Sequence, residues 1–326
     1  MQINWGILGV AGITERLIPA IQESEKGYIR AIASRNLLKA QKKAEEYSIE
    51  KHYGAYQDLL QDETIDAVYI PLPNHLHKEW VLKSVKKKKH VLCEKPFALT
   101  VTEAQEMFKE SKKQNVLIME AFMYRFDPRI DIIKKLLQEG RIGEVKYIDF
   151  NFSHTLEEKL TQTKNYRMDQ QAGGGALYDL GVYGINLCNY LLDDIPSKII
   201  QSKTIRNNDQ DIDRTTLLDL QYKDKLLVHI TVSFQYYSNY LQVAGTEGSL
   251  EVSNIISQDK GEIRIKKYKQ NGIQKEQISS FNSYNAMVNH FNNCIIEKKE
   301  PKITQNQTVD TLRIVEESLA KLDELD

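Results

Sequence analysis

Three stretches carry residues whose types and spacing could do chemistry. In His90-Val-Leu-Cys-Glu-Lys-Pro-Phe97 a short apolar run stops on a carboxylate, an ammonium and a proline. Pro96 fixes its own φ and biases Lys95 away from the helical region, which would hold the lysine in one orientation. In an open α/β sheet the ligand crevice lies beyond the carboxyl ends of the strands, so Glu94 and Lys95 stand where chemistry could occur. A surface pair at a turn fits the same residues. The second stretch is Gly173-Gly-Gly-Ala-Leu-Tyr-Asp179-Leu-Gly-Val-Tyr183-Gly-Ile-Asn186. On a regular helix Asp179 and Tyr183, four residues apart, share a face, with Asn186 nearby. The glycines let the helix start approach another group. A helix-start carboxylate beside a core aromatic is the alternative. The third stretch, Pro71-Leu72-Pro73-Asn74-His75-Leu76-His77, follows an apolar run. Asn74 is expected to cap the next helix. His75 and His77 suggest a metal, but no carboxylate or cysteine lies at ligand spacing, so no metal site is expected.

The elements that must position these residues begin at the amino terminus. Ile3–Leu8 is apolar and strand-like, Gly9 follows, and Ile13, Leu17, Ile18 and Ile21 recur at helical spacing. Such a strand, glycine turn and helix let backbone N–H groups approach a pyrophosphate. Counted from Gly9, the fingerprint reads Gly9-Val10-Ala11-Gly12-Ile13-Thr14, with alanine and threonine replacing the second and third glycines. Gly9, Ala11, Gly12 and Ile13 are the expected backbone contacts. The next strand, 28–33, ends in Ser34-Arg35 rather than an acidic residue. An acidic side chain there binds a ribose 2′-hydroxyl, whereas arginine accommodates a 2′-phosphate, so NADP(H) is favoured over NAD(H). Further strands at 67–70, 90–93 and 116–122 bring Pro71, Leu72, Asn74, His77, Glu94, Lys95 and Arg125 to the same edge. These complete the expected cofactor contacts.

From Gly143 the pattern changes to strands at 145–152, 197–205, 214–222, 226–234, 239–244, 249–253 and 262–268. Two helical patterns, 284–297 and 308–325, close the chain. The expected fold is an α/β Rossmann domain with a doubly wound parallel sheet, residues 1–124. An α+β domain with a large, mostly antiparallel open-faced sheet follows, residues 125–326, for substrate binding and oligomerisation.

The 326 residues hold 44 Lys and Arg against 45 Asp and Glu, a net charge of −1, so no field favours nucleic acid or an anionic membrane. The run Lys86-Lys-Lys-Lys89 reads as a solvated helix end. Three scattered cysteines argue against a disulfide framework. With no charged-then-apolar leader and no apolar stretch near about 18 residues, a cytoplasmic protein is expected.

Together these segments resemble the Gfo/Idh/MocA oxidoreductases along essentially the whole chain. The resemblance rests on Glu94-Lys95-Pro96, on Pro73-Asn74-His75-Leu76-His77 before it, and on Gly173 to Tyr183 after it. It implies a catalytic-site lysine at Lys95, often preceding a cis proline peptide, with Asp179 and residue 183 across the crevice. Many members have histidine at that last position. Tyr183 is more like the branch of glucose-fructose oxidoreductase, dimeric dihydrodiol dehydrogenase and NADP-dependent xylose dehydrogenase. On this resemblance, Tyr183 transfers the proton during hydride transfer between NADP(H) and a carbinol carbon, because a nearby ammonium favours the phenolate by about one to three pKa units. Lys95 supplies that ammonium and binds the reacting oxygen, and Asp179 orients it or the substrate. A sugar or polyol is the expected partner, in a homodimer or tetramer. The competing readings are a trans-dihydrodiol dehydrogenase, a non-catalytic NADP-binding sensor, and a hydrolase that oxidises its sugar transiently on retained dinucleotide.

Overall fold

The computed structural model describes residues 1–156, 165–206, 212–257, 261–268 and 272–324. The chain divides into two compact units, Met1–Phe126 with Asn282–Val309, and Asp127–Phe281 with Asp310–Asp326.

The first unit is built on a parallel sheet of β1 (Ile3–Leu8), β2 (Gly27–Ala33), β3 (Lys51–Tyr53), β4 (Ala67–Ile70), β5 (His90–Cys93) and β6 (Ile118–Glu120). Its order is β3-β2-β1-β4-β5-β6, so the winding direction reverses between β1 and β4. Strands covered on both faces should be apolar throughout rather than alternating. Accordingly Ile3, Trp5, Ile7, Val68, Tyr69, Val91 and Leu92 are wholly buried. Helix Val101–Gln114 starts at Thr100, whose hydroxyl accepts from the Glu103 amide at 3.1 Å. Glu103 reaches back to the Leu99 amide, one residue before the position a capping box would give.

Helix Ser283–Glu297 also belongs to this unit, although a linear division at residue 124 puts it in the second domain. Phe291 packs on Trp5 with ring centroids 5.6 Å apart, and Trp5 Nε1 donates to Asn292 Oδ1 at 3.0 Å.

The second unit is a nine-strand sheet of β7 (Val145–Ser153), β8 (Lys198–Ile205), β9 (Thr215–Gln221), β10 (Leu227–Ser233), β11 (Ser238–Gly245), β12 (Gly248–Ser253), β13 (Gly261–Lys267), β14 (Gln274–Ile278) and β15 (Leu322–Glu324). The order is β14-β13-β12-β11-β7-β10-β9-β8-β15, antiparallel except for β7 with β10 and β8 with β15. Ile148, Phe150, Val228, Ile230, Leu218, Leu241 and Val243 fill the buried face. Tyr147, Asp149, His229 and Gln242 alternate onto the other face. The expected last helix stops at Ala320, and residues 322–324 form β15 instead. That pairing is with β8, far away in sequence, so no local pattern announces it.

Candidate active site

The carboxyl edge of the first unit's sheet gathers the residues expected to hold a dinucleotide. Gly9 leaves β1 at φ +134°, a conformation L side chains rarely adopt, and a Cβ there would lie 3.1 Å from Leu72 Cδ2. Ala11, Gly12 and Ile13 lead into helix Thr14–Gln22, which no side chain caps. A Cβ on Gly12 would meet no atom within 4 Å. A turn that requires glycine at position 9, a helix start without a side-chain cap from Ile13 and open space at Gly12 are the features a pyrophosphate needs, so the residues fit a dinucleotide. Ser34 follows β2, its Oγ accepting from the Asn36 amide at 3.2 Å. Arg35 is exposed beside Tyr56; burial pushes that phenol up, and the guanidinium opposes the shift.

Pro71, Leu72 and Asn74 follow β4, and all three are buried. Asn74 opens the 3-10 turn Asn74–Leu76, which leads directly into helix His77–Lys86. After β5 the Lys95–Pro96 peptide is cis. Glu94 Oε1 accepts from the Tyr69 hydroxyl at 2.5 Å, and the Phe97 amide donates to Glu120 Oε1 at 3.0 Å. Two expected cofactor contacts, His77 and Arg125, are fully buried in this unit. The His77 ring nitrogens lie 2.8 Å from Pro96 O and 2.8 Å from Leu72 O. Burial lowers His77 to about 4, so the ring is neutral near pH 7 and its single N–H donates to one of these two carbonyls. Arg125 sits in the 3-10 turn Met123–Phe126.

The second unit carries Asp179 and Tyr183. Residues Leu177–Gly181 form a π-helical turn before helix Val182–Leu192, where the spacing rule assumes a regular α-helix. Such turns insert one residue into a helix and are frequent at functional sites. Asp179, 6% exposed, accepts from Arg167 Nε at 2.8 Å. Asp179 holds the guanidinium above its usual range against the effect of burial, with Tyr166 and Tyr183 adding to it. Arg167 also lies over the Tyr166 ring, 4.8 Å from its centroid. Tyr183 is half-buried and meets Phe152 edge-on at 5.3 Å; Phe152 in turn meets His154 at 4.7 Å. Asn186 is buried and donates to Thr311 Oγ1 at 3.0 Å.

Residues 3–122 match the model described as "Oxidoreductase family, NAD-binding Rossmann fold", and residues 130–251 match "GFO/IDH/MocA C-terminal domain". The chain belongs to the Gfo/Idh/MocA family. It is 32% identical over 315 residues to "D-xylose 1-dehydrogenase (NADP(+)) 2" of Haloferax volcanii, covering 96% of this chain and 95% of that protein. It is 29% identical over 255 residues to "Trans-1,2-dihydrobenzene-1,2-diol dehydrogenase" of Xenopus tropicalis, covering 77% and 76%. Among solved structures, KijD10, a 3-ketoreductase from Actinomadura kijaniata in complex with NADP and TDP-benzene, superposes with a TM-score of 0.92. At 24% identity, covering 100% of this chain and 99% of that one, this likeness shows the Gfo/Idh/MocA fold. The chain is therefore an NAD(P)-dependent oxidoreductase with sugar-dehydrogenase relatives.

Sequence reasoning missed three supporting side chains of this Gfo/Idh/MocA protein. Tyr69 was visible only as a strand residue, and its partner Glu94 lies 25 positions away. Glu120 was a carboxylate inside an otherwise apolar run, itself a signal that the charge has partners. Asp213 lies in a polar connection, yet it is buried and accepts from the Leu177 amide at 2.7 Å and the Thr216 hydroxyl at 2.5 Å. It occupies the space beside Gly175, which has φ +103°.

Proposed function

We propose that this protein is an NADP-dependent dehydrogenase or reductase acting on a CH–OH group of a sugar or related polyol. The observation that carries the proposal is the near full-length likeness to the NADP+-dependent xylose dehydrogenase. Gly9, Ala11, Gly12 and Ile13 would receive the pyrophosphate, and Ser34 with Arg35 the 2′-phosphate. The bound dinucleotide would supply the acceptor for the hydride of the carbinol carbon or, in its reduced form, the hydride for the carbonyl. Tyr183 takes the hydroxyl proton on its phenolic oxygen. A cation beside a phenol favours the ionised form, a role assigned to Lys95, which also binds the reacting oxygen. Asp179 acts through Arg167, keeping that guanidinium in place beside the phenol.

Tyr183→Phe tests the assignment: turnover should fall by about 10² to 10⁴-fold, the usual share of general acid-base catalysis, with NADPH binding retained. Turnover within a few-fold of wild type would transfer the proton step to Lys95. A second reading, oxidation of an aromatic dihydrodiol, is favoured by a chain of rings that starts at Tyr183: Phe152 packs on it, His154 on Phe152 and, 5.7 Å from His154, Tyr237. A panel of aldoses and dihydrodiols decides between them; dihydrodiol turnover with sugar inactivity would refute the sugar reading.

A further inference from the structure

Beneath the Lys95 segment lies a carboxyl that the proposed chemistry does not use. Glu120 ends β6 and is 1% exposed. Its Oε1 accepts from the Phe97 amide at 3.0 Å and its Oε2 from the Thr308 hydroxyl at 2.8 Å. The same segment is held elsewhere by Tyr69 on Glu94 and by the His77 ring against Pro96 O. A buried carboxyl is tolerated only when its oxygens are satisfied, and here one oxygen is committed to the segment that carries the lysine. We propose that Glu120 is a positioning residue for Lys95, fixing the segment through the Phe97 amide and acting on the ammonium through its own charge. The proposal rests on the assignment of Lys95 to the reaction, but the contact itself does not.

The charge can change under working conditions. Burial raises Glu120 to about 8; the bonds from Thr308 and Phe97 oppose this, Glu94 adds to it, and Lys95 opposes it. Ionised, the carboxylate accepts both bonds. Protonated, it has an O–H to place, and the Thr308 hydroxyl can rotate to accept it. The other titratable groups facing this cluster are Glu94 on the segment, Cys93 on β5, Tyr69 on β4, His77 on helix His77–Lys86 and Tyr284 on helix Ser283–Glu297. Burial, the largest cause in each case, pushes Cys93, Tyr69 and Tyr284 up and His77 down to about 4. Those four keep one charge state around neutral pH.

The test is a pH titration of the full chain carrying ¹³C-labelled lysine, with the Lys95 ε resonance assigned by its loss in Lys95→Arg. The wild-type resonance should show an inflection near the Glu120 value, and Glu120→Gln, which keeps an acceptor for the Phe97 amide, should abolish it. Thr308→Val removes a bond that favours the ionised carboxylate and should move the inflection to higher pH. Exchange of the Phe97 amide should quicken at least tenfold in Glu120→Ala and stay near wild type in Glu120→Gln. An inflection that survives Glu120→Gln, or Phe97 exchange unchanged in Glu120→Ala, would overturn the proposal. If Glu120→Ala does not fold, the Gln and Val variants still decide. Absence of turnover on every sugar and dihydrodiol would sink the proposed function alone, since neither readout here uses turnover.

Discussion

In the proposed function Arg35 is the side chain on which cofactor choice turns. It is exposed at the end of β2, held beside Tyr56 but with its charge open to solvent. A charge-assisted bond to a 2′-phosphate contributes about 1.5 to 3 kcal/mol. Arg35→Ala should therefore weaken NADPH binding by roughly 10 to 100-fold, as about 1.4 kcal/mol is a factor of ten, and leave NADH binding nearly unchanged. Fluorescence titration with both cofactors checks this, and equal losses for the two would mean that Arg35 only shapes the loop. The place of Arg35, just past β2, was legible because the apolar run fixes where the strand ends. The Arg167–Asp179 pair was less so: the two residues are 12 apart and joined by a loop whose path no periodicity describes.

At the scale of elements, alternation and helical spacing exposed both sheets, because each strand has one or two faces to bury. The π-helical turn was hidden, since it inserts one residue without changing composition. Asp213 supports that turn from below. Burial pushes its carboxyl up to about 6, and the Thr216 and Leu177 bonds oppose the shift. A carboxyl whose folded pKa exceeds its unfolded value of about 3.9 stabilises the fold fully below that value, and the contribution is lost as pH rises through the folded pKa. Asp213→Asn keeps an acceptor for the Leu177 amide and does not titrate. Its melting temperature relative to wild type should rise between pH 4 and 7 by a few degrees. A difference independent of pH would show that Asp213 is already ionised throughout. Helix Val182–Leu192 and the Tyr183 side chain it carries should then keep their spectroscopic signature in both proteins.

On the scale of the whole molecule, the least legible feature is that helix Ser283–Glu297 belongs to the first unit although the second unit's strands precede it. In sequence it reads only as a helical pattern near the end of the chain. Its asparagines dock it: Asn285 Nδ2 donates to Ala20 O at 3.0 Å, Asn289 Oδ1 accepts from Ser24 Oγ at 2.6 Å, and Asn292 receives Trp5 Nε1. A buried donor left without its acceptor costs about 1 to 3 kcal/mol, so Asn292→Ala should lower stability by that amount. Denaturant unfolding followed by tryptophan fluorescence measures it. The stronger consequence concerns the fragment 1–126, which holds all six parallel strands but would leave the Trp5 indole and the flank of helix Thr14–Gln22 uncovered. That fragment should bind a hydrophobic dye and show no cooperative unfolding, whereas 1–126 joined to 282–309 by a long flexible linker should unfold cooperatively. If the shorter fragment folds as well as the longer, the helix is an attachment to a finished sheet and not part of its core.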